Sequence, residues 1–210
     1  MNVATYAWRG TDDPDRLEVV RAAFGPTGCA ASGASVALEY HTTWDLEIDE
    51  AWVTRSLIIT RRDQAGRSLR LNLRRSSRGI WTGDYAGTDG LEQRPASLTN
   101  ALSGSLDCDL GRCPFTNLMP IRRMLQQGTI GQWVGHTMAW VKVPTLEVAP
   151  ATQQYMVVAS DERGAQIRYR SSTSQELDLH VDRDGVVIDY PMLAERVLPP
   201  QPRRHAGPSS

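Results

Sequence analysis

Alternation of apolar and polar residues is the dominant pattern along the chain. In the segment RSLRLNLRR, Leu69, Leu71 and Leu73 point to one side of an extended backbone, and the polar residues between them point to the other. The segment LDLHVD repeats the pattern with Leu177 and Leu179. This period of two predicts β-strands with one buried face.

Short turn signals separate these predicted strands. The segments RDQAGR (62–67), SDERGA (160–165) and RDG (183–185) combine acidic residues with a glycine, which is typical of tight hairpin connections. Their regular spacing predicts a mainly antiparallel β protein whose sheet rolls up or closes partly into a barrel to protect its edges. The hairpins near 56–84 and 154–191 resemble each other, which leaves open an internal duplication.

One segment departs from the alternation and predicts a helix near 118–127. Pro120 suits the first turn of a helix, and Ile121, Met124 and Leu125 follow with helical spacing. Downstream, the segment TIGQWVGHTMAWVKV carries apolar residues on both faces of its predicted strand. Such a strand needs apolar surroundings on both sides, either an ordinary core or the interior of a rolled sheet.

Size and composition predict one domain over residues 1–198, followed by a disordered tail. The chain has 210 residues, of which 40% are hydrophobic, and the segment 199–210 is rich in proline and small polar residues. The formal net charge of −1 gives no general attraction to nucleic acid or to an anionic membrane. We therefore expect neither as a partner.

The start of the chain and its cysteines predict a soluble cytoplasmic protein. The segment MNVATYAWRG lacks the pattern of a secretory signal, and no apolar run is long enough to span a bilayer. Three cysteines suit reduced thiols better than a disulfide framework. Cys108 and Cys113 have a spacing that is poor for structural zinc, and no cofactor motif is present, so we expect no metal and no cofactor.

The segment LDCDLGRCPFTNLMPIRR (106–123) concentrates the charged residues that could carry chemistry. Asp107 and Asp109 lie on one face of a predicted strand, roughly 7 Å apart, a separation that glycoside hydrolysis could use. A structural alternative is a clasp in which Asp107, Asp109, Thr116 and Arg123 fix the loop and the helix. We favour the clasp and assign no catalytic residue.

The same segment resembles the central signature of a bacterial family known as "putative glycolipid-binding", formerly a domain of unknown function. The matching positions are Asp107, Asp109, Leu110, Pro114, Thr116, Asn117, Pro120, Ile121, Arg122 and Arg123. The flanking segments YAWRG, EIDEAWVTRS, GIWTGD, QQYMVVA and VDRDGVVIDYP extend the resemblance from about Tyr6 to Val197. It implies a spiral β-roll, a strongly curved antiparallel sheet, but attaches no catalytic residues.

These observations predict a non-catalytic protein that binds an amphipathic ligand, such as a glycolipid, in the concave face of the sheet. Tryptophan suits such ligands because it combines a large apolar face with an N–H donor, and arginine or amide groups can meet a head group. The predicted ligand-binding residues are Trp52, Arg55, Trp81, Asn117, Arg122 and Trp133. The alternatives are a hydrolase acting on a glycoside or ester through Asp107 and Asp109, and a structural or partner-binding protein without a small ligand. Pairing into a homodimer is left open.

Overall fold

A computed structural model describes residues 2–88, 101–172 and 174–198 of the chain, with the backbone alone at 198. The tail predicted to be disordered, 199–210, lies outside the described residues. The strands are β1 (Asn2–Gly10), β2 (Leu17–Gly25), β3 (Gly28–Val36), β4 (Tyr40–Ile48), β5 (Thr54–Asp63), β6 (Ser68–Arg75), β7 (Trp81–Gly87), β8 (Asp107–Leu110), β9 (Val134–Val141), β10 (Val148–Asp161), β11 (Gly164–Ser171), β12 (Leu177–Asp182), β13 (Val187–Tyr190) and β14 (Ala194–Leu198).

All fourteen of these strands belong to one curved, unclosed sheet. Their order is β7-β6-β5-β4-β3-β2-β1-β14-β13-β12-β11-β10-β9-β8, so most neighbours are consecutive in the chain. The predicted fold class, mainly β with one short helix, is confirmed. One pair differs from the antiparallel expectation: β8 and β9 run parallel. The reason is their connection, which passes through the helix instead of a tight hairpin turn.

The three predicted turns form hairpins, and each is fixed by an aspartate at its start. The Oδ1 atom of Asp63 accepts a hydrogen bond from the backbone N–H of Arg67 at 2.9 Å. Asp161 accepts one from the N–H of Gly164 at 3.1 Å. In the third turn, Asp182 likewise accepts a hydrogen bond from a backbone N–H. The acidic residues of the turn signals therefore hold backbone donors that the strands leave unpaired.

The predicted helix is present as α1 (Leu118–Gln127) and follows a short 3-10 turn, Pro114–Asn117. It ends at Gly128, whose φ of 65° is the left-handed conformation that glycine adopts without strain. The helix packs on two sides, because Leu118 and Ile121 contact different groups of buried residues.

These two groups are separate cores, and the β8–β9 pair lies between them. Cys108 and Ala139 belong to the core built mainly on β1 to β7, whereas Met138 belongs to the core built on β10 to β13. The strand predicted to be apolar on both faces is therefore buried on both at Met138, Ala139 and Val141. The sheet also curls back on itself, since the N–H of Thr54 donates to the carbonyl of Leu106 at 3.2 Å. The single domain and the internal duplication remain predictions.

The described residues contain no helix with the length and apolar character needed to cross a membrane. Cys29, Cys108 and Cys113 are all buried and unpaired with one another. Within the same ranges, no group of three or more potential metal-binding side chains converges.

Candidate functional site: a cavity beside strand β8

A cavity of about 740 Å³ lies beside β8, where β9, β10, β11 and β13 converge on the loop that precedes α1. Its volume falls within the range of pockets that hold small molecules, about 300 to 1,000 Å³. The lining residues are Asp109, Leu110, Gly111, Arg112, Cys113, Asn117, Trp140, Lys142, Val143, Thr145, Ala149, Pro150, Ala151, Gln153, Tyr169, Ser171, Ser172, Ser174, Tyr190 and Leu193.

The most buried part of the lining, here called the closed end, is formed mainly by polar side chains, next to Leu110 and Cys113. Asn117 and Gln153 are each 5% exposed and Tyr169 is 4% exposed, while Asp109 and Tyr190 are half-buried beside them. Buried polar side chains are retained where they have hydrogen-bond partners or a ligand to meet. The closed end therefore offers hydroxyl, amide and carboxyl groups in a space that bulk water reaches poorly.

Asp109 reaches the closed end from β8 and is held by neutral partners. Its Oδ1 atom accepts a hydrogen bond from the Thr116 hydroxyl at 3.0 Å, and its Oδ2 atom lies 2.7 Å from Nε2 of Gln153. Burial raises the pKa of Asp109, the hydrogen bonds from Thr116 and Gln153 oppose the rise, and the nearby charge of Asp107 adds to it.

Three tyrosines extend the polar end into the core. The hydroxyl of Tyr155 lies 2.9 Å from Oδ1 of Asn117 and 2.7 Å from Oε1 of Gln153. Its ring packs against Tyr169 with a centroid distance of 5.0 Å, and Tyr169 packs against Tyr190 at 5.7 Å. Burial raises the pKa of all three phenols, so they remain protonated donors at neutral pH.

Trp140 supplies a large ring on the wall next to Asp109, its neighbour across the β8–β9 pair. The side chain is half-buried, and Nζ of Lys142 lies 5.4 Å from the ring centroid. Gly111 lets the loop after β8 pass close by, because a Cβ atom there would lie 3.3 Å from Nε1 of Trp140. An indole face with this access can stack on a sugar ring or an acyl chain.

Asp107 lies two residues before Asp109 on β8 and has entirely different surroundings. It is 1% exposed, and Arg123 from α1 binds both of its oxygens, at 2.7 Å and 2.5 Å. The same guanidinium donates to the carbonyl of Trp52 in the β4–β5 connection. Burial raises the pKa of Asp107 and the Arg123 guanidinium opposes the rise. This geometry joins strand, helix and loop, and the clasp role of these residues stays a prediction.

Two of the predicted ligand-binding residues, Trp52 and Arg122, contact each other beside α1 and away from the cavity. Trp52 is buried at a φ of 59°, and the Arg122 guanidinium lies over its ring, 4.8 Å from the centroid. Arg122 also lies 3.7 Å from Asp184. The side chain of Arg55 is 60% exposed and lies 3.5 Å from Glu50. Asn117 is the predicted residue that the structure brings to the cavity.

Trp81 and Trp133 lie elsewhere. Trp81 is buried, and its Nε1 donates to the carbonyl of Ser105 at 3.0 Å. Trp133 is half-buried beneath the guanidinium of Arg170, which lies 4.2 Å from its ring centroid. Among the described residues, the side chains that line the cavity include neither tryptophan.

Sequence reasoning missed three residues of the closed end, Gln153, Tyr169 and Tyr190, and Trp140 on the wall. Gln153, Tyr169 and Tyr190 occupy positions in ordinary strands, and Trp140 lies in a strand predicted to be apolar on both faces, where one more aromatic residue has no local signature. One signal was present: Gln153 and Tyr155 alternate with each other on β10 and occupy positions on the same face as Val157. Polar residues on the buried face of a strand indicate a site.

The curved, unclosed sheet and the polar-ended cavity define a β-roll protein with a pocket of small-molecule size. The family model described as "Putative glycolipid-binding" matches residues 5–196, so the chain belongs to this family. The resemblance inferred from its central signature is thereby confirmed.

Two solved structures are similar to the chain. A DUF1089 family protein from Pseudomonas aeruginosa shares 26% identity, with a TM-score of 0.64 over 86% of this chain and 92% of that one. A β-barrel-like protein of the domain of unknown function DUF1849 from Brucella abortus has a TM-score of 0.53 at 9% identity, over 97% and 95% of the two chains, which indicates a shared fold alone. No curated protein matches the chain significantly.

Proposed function

We propose that the cavity beside β8 binds an amphipathic ligand, such as a glycolipid, without acting on it chemically. The observation that carries this proposal is a cavity of about 740 Å³ with a polar closed end and a half-buried tryptophan on its wall. The family description supports the ligand class.

The polar and apolar parts of the lining suggest how such a ligand lies. A sugar head group would enter first, with its ring against Trp140 and its hydroxyls among Asn117, Gln153 and Tyr169. The acyl chain would follow along Val143 and Leu193. Each methylene group removed from water there stabilises the complex by about 0.8 kcal/mol.

The two alternatives have less support. A hydrolase that uses both aspartates needs two accessible carboxyl groups, and Asp107 is buried under Arg123. A purely structural protein does not require a cavity of about 740 Å³ lined by hydroxyl, amide and carboxyl groups. The cytoplasmic location and the pairing with a second copy remain predictions from the sequence.

A comparison of two tryptophan variants tests the site. Octyl glucoside, below its micellar concentration, serves as the probe, and calorimetry measures its affinity. Trp140→Ala should weaken binding by roughly tenfold, since an aromatic contact contributes about 0.5 to 1.5 kcal/mol beyond its buried area. Trp133→Ala is the matched control, because this tryptophan is also half-buried and does not line the cavity.

Weakening by Trp133→Ala alone would instead favour the site predicted from the sequence. Equal weakening by both variants, or binding that neither variant changes, would contradict a specific role for this cavity. Lipid extraction from protein purified from its own host gives a separate readout. A co-purifying amphiphile that Trp140→Ala loses and Trp133→Ala retains would support the proposal.

A further inference from the structure

One arginine, Arg16, is buried behind the wall of the cavity. It directly precedes β2, on the half of the sheet that does not line the cavity, and it is 1% exposed. A guanidinium removed from water needs acceptors for its N–H groups, because a buried charge without them is costly. The acceptors of Arg16 therefore show which parts of the chain it holds together.

Three acceptors from three segments surround the Arg16 guanidinium. Its Nη1 atom donates to the carbonyl of Arg112 at 2.8 Å, and its Nη2 atom donates to the carbonyl of Leu193 at 2.7 Å. The Oδ1 atom of Asp12, also 2.7 Å from Nη2, supplies the counter-charge. Arg112 and Leu193 both line the cavity. One planar guanidinium thus joins the loop after β8 to the connection between β13 and β14.

The connection between β1 and β2 is shaped around this contact. A Cβ atom at Gly10 would lie 2.3 Å from the carbonyl oxygen of Asp13 and 3.2 Å from Nε of Arg16, so this position requires glycine. The backbone N–H of Thr11 donates to the carbonyl of Leu193 at 3.0 Å. The Leu193 carbonyl is therefore held twice from the same connection.

The Arg112 end of this contact reaches the tryptophan on the cavity wall. Arg112 has a φ of 67°, a left-handed conformation that a residue with a side chain adopts only at some cost. The N–H of Gly111, the residue before it, donates to the carbonyl of Val141 at 2.9 Å. A Cβ atom at Gly111 would lie 3.3 Å from Nε1 of Trp140. The position of the Arg112 carbonyl and that of the Trp140 ring are therefore linked through close packing and one backbone hydrogen bond.

We propose that Arg16 is a positioning residue of the ligand site. By holding the carbonyls of Arg112 and Leu193, it fixes two lining segments relative to each other, and with them the shape of the cavity. Its role in binding rests on the proposed function, whereas its hold on the wall can be measured without a ligand. Lysine cannot take this role, because a single ammonium group lacks the planar fork that reaches several acceptors at once.

The indole N–H signal of Trp140, in NMR spectra of the full chain labelled with nitrogen-15, reports on the wall directly. Arg16→Lys should move this signal, identified by its absence in Trp140→Ala, by more than its line width. The control is Leu71→Ala, which opens a cavity in the core of β1 to β7 and destabilises the fold away from the wall, so it should leave the signal in place. If Arg16→Lys does not fold, Asp12→Asn, which removes the counter-charge and keeps the shape of the side chain, should move the signal in its stead. An unmoved signal, or an equal shift in the control, would overturn the proposal.

Calorimetry with octyl glucoside, below its micellar concentration, measures the effect on the ligand. Arg16→Lys, or Asp12→Asn in its place, should weaken binding by roughly fivefold, a size typical of residues that act on a site through their neighbours, and Leu71→Ala should stay within about twofold of the wild type. Unchanged affinity in the variant, or equal weakening in the control, would overturn the role in binding even if the Trp140 signal moves. If the wild type does not bind octyl glucoside, the proposed function fails, and the Trp140 signal still decides whether Arg16 holds the wall.

Discussion

Asp107 and Asp109 lie two residues apart on the same strand, yet their surroundings differ in every respect that matters for chemistry. Asp107 is closed off from water and held at both oxygens by a cation, whereas Asp109 is half-buried, faces a cavity and has neutral partners. Their spacing along one strand is compatible with a pair of catalytic carboxyl groups. The chemistry open to each carboxyl group depends instead on the side chain that contacts it. That side chain comes from α1 for Asp107 and from β10 for Asp109.

The largest effect should come from removing the charge of Asp107. Asp107→Asn leaves the Arg123 guanidinium buried without its counter-charge, which should lower the free energy of unfolding by about 3 to 5 kcal/mol in denaturant titrations. The control is Asp178→Asn in the Arg168–Asp178 pair, where each side chain is 35% exposed and the loss should stay below about 1 kcal/mol. Similar losses in the two variants would contradict the clasp.

A third carboxyl group, Glu18, sharpens the comparison because it lacks a bidentate cation. Glu18 is 1% exposed, and its Oε1 atom has no hydrogen-bond partner among the described residues. Burial raises the pKa of Glu18 from 4.5 to about 7, opposed by a hydrogen bond with Cys113 and by the charge of Arg16. The folded state therefore holds this proton more tightly than the unfolded state.

The stability from this protonated Glu18 is fully present below about pH 4.5 and is lost as the pH rises through about 7. The loss should amount to about 3 kcal/mol, at 1.36 kcal/mol for each unit of pKa. Unfolding measured between pH 4 and 8 should show this slope in the wild type and a flatter one in Glu18→Gln. Parallel curves for the two proteins would show that Glu18 does not titrate in this range.

The smallest effect should come from Asp109. Asp109→Asn keeps the shape of the side chain and leaves no buried cation without its counter-charge, so the free energy of unfolding at pH 6 should change by about 1 kcal/mol or less. Denaturant titration alongside Asp107→Asn makes the comparison direct. A loss as large as that of Asp107→Asn would mean that Asp109 is a charged structural group.

The sequence contained most of the fold because the signals for its parts are local. Alternation in segments such as 68–75 specifies a strand, and an aspartate with a nearby glycine specifies the turn that follows. The parallel pairing of β8 with β9 had no such signal. This parallel pairing depends on the position of α1 between the two cores. That position is determined by contacts between residues that are far apart in the chain.

The site was less accessible to sequence reasoning for the same reason. Asn117 was identified because it lies in a dense polar segment, whereas Tyr169 and Tyr190 come from separate hairpins and meet only in the folded sheet. Trp81 and Trp133 were chosen for their chemistry, but residue type does not reveal which face of a sheet surrounds a cavity. The ligand-binding roles predicted for them stay predictions.

The pairing of β1 with β14 has a consequence for how the chain folds. Apart from this pair, sheet neighbours are consecutive strands, so β1 to β7 and β8 to β14 can each form from local contacts. Joining the two halves requires Ala7 to meet Leu198 across almost the whole chain, and such a loop closure is slow and entropically costly. We therefore expect two early-forming half-sheets, with the seam at β1 and β14 as the late step that commits the molecule to its native curvature.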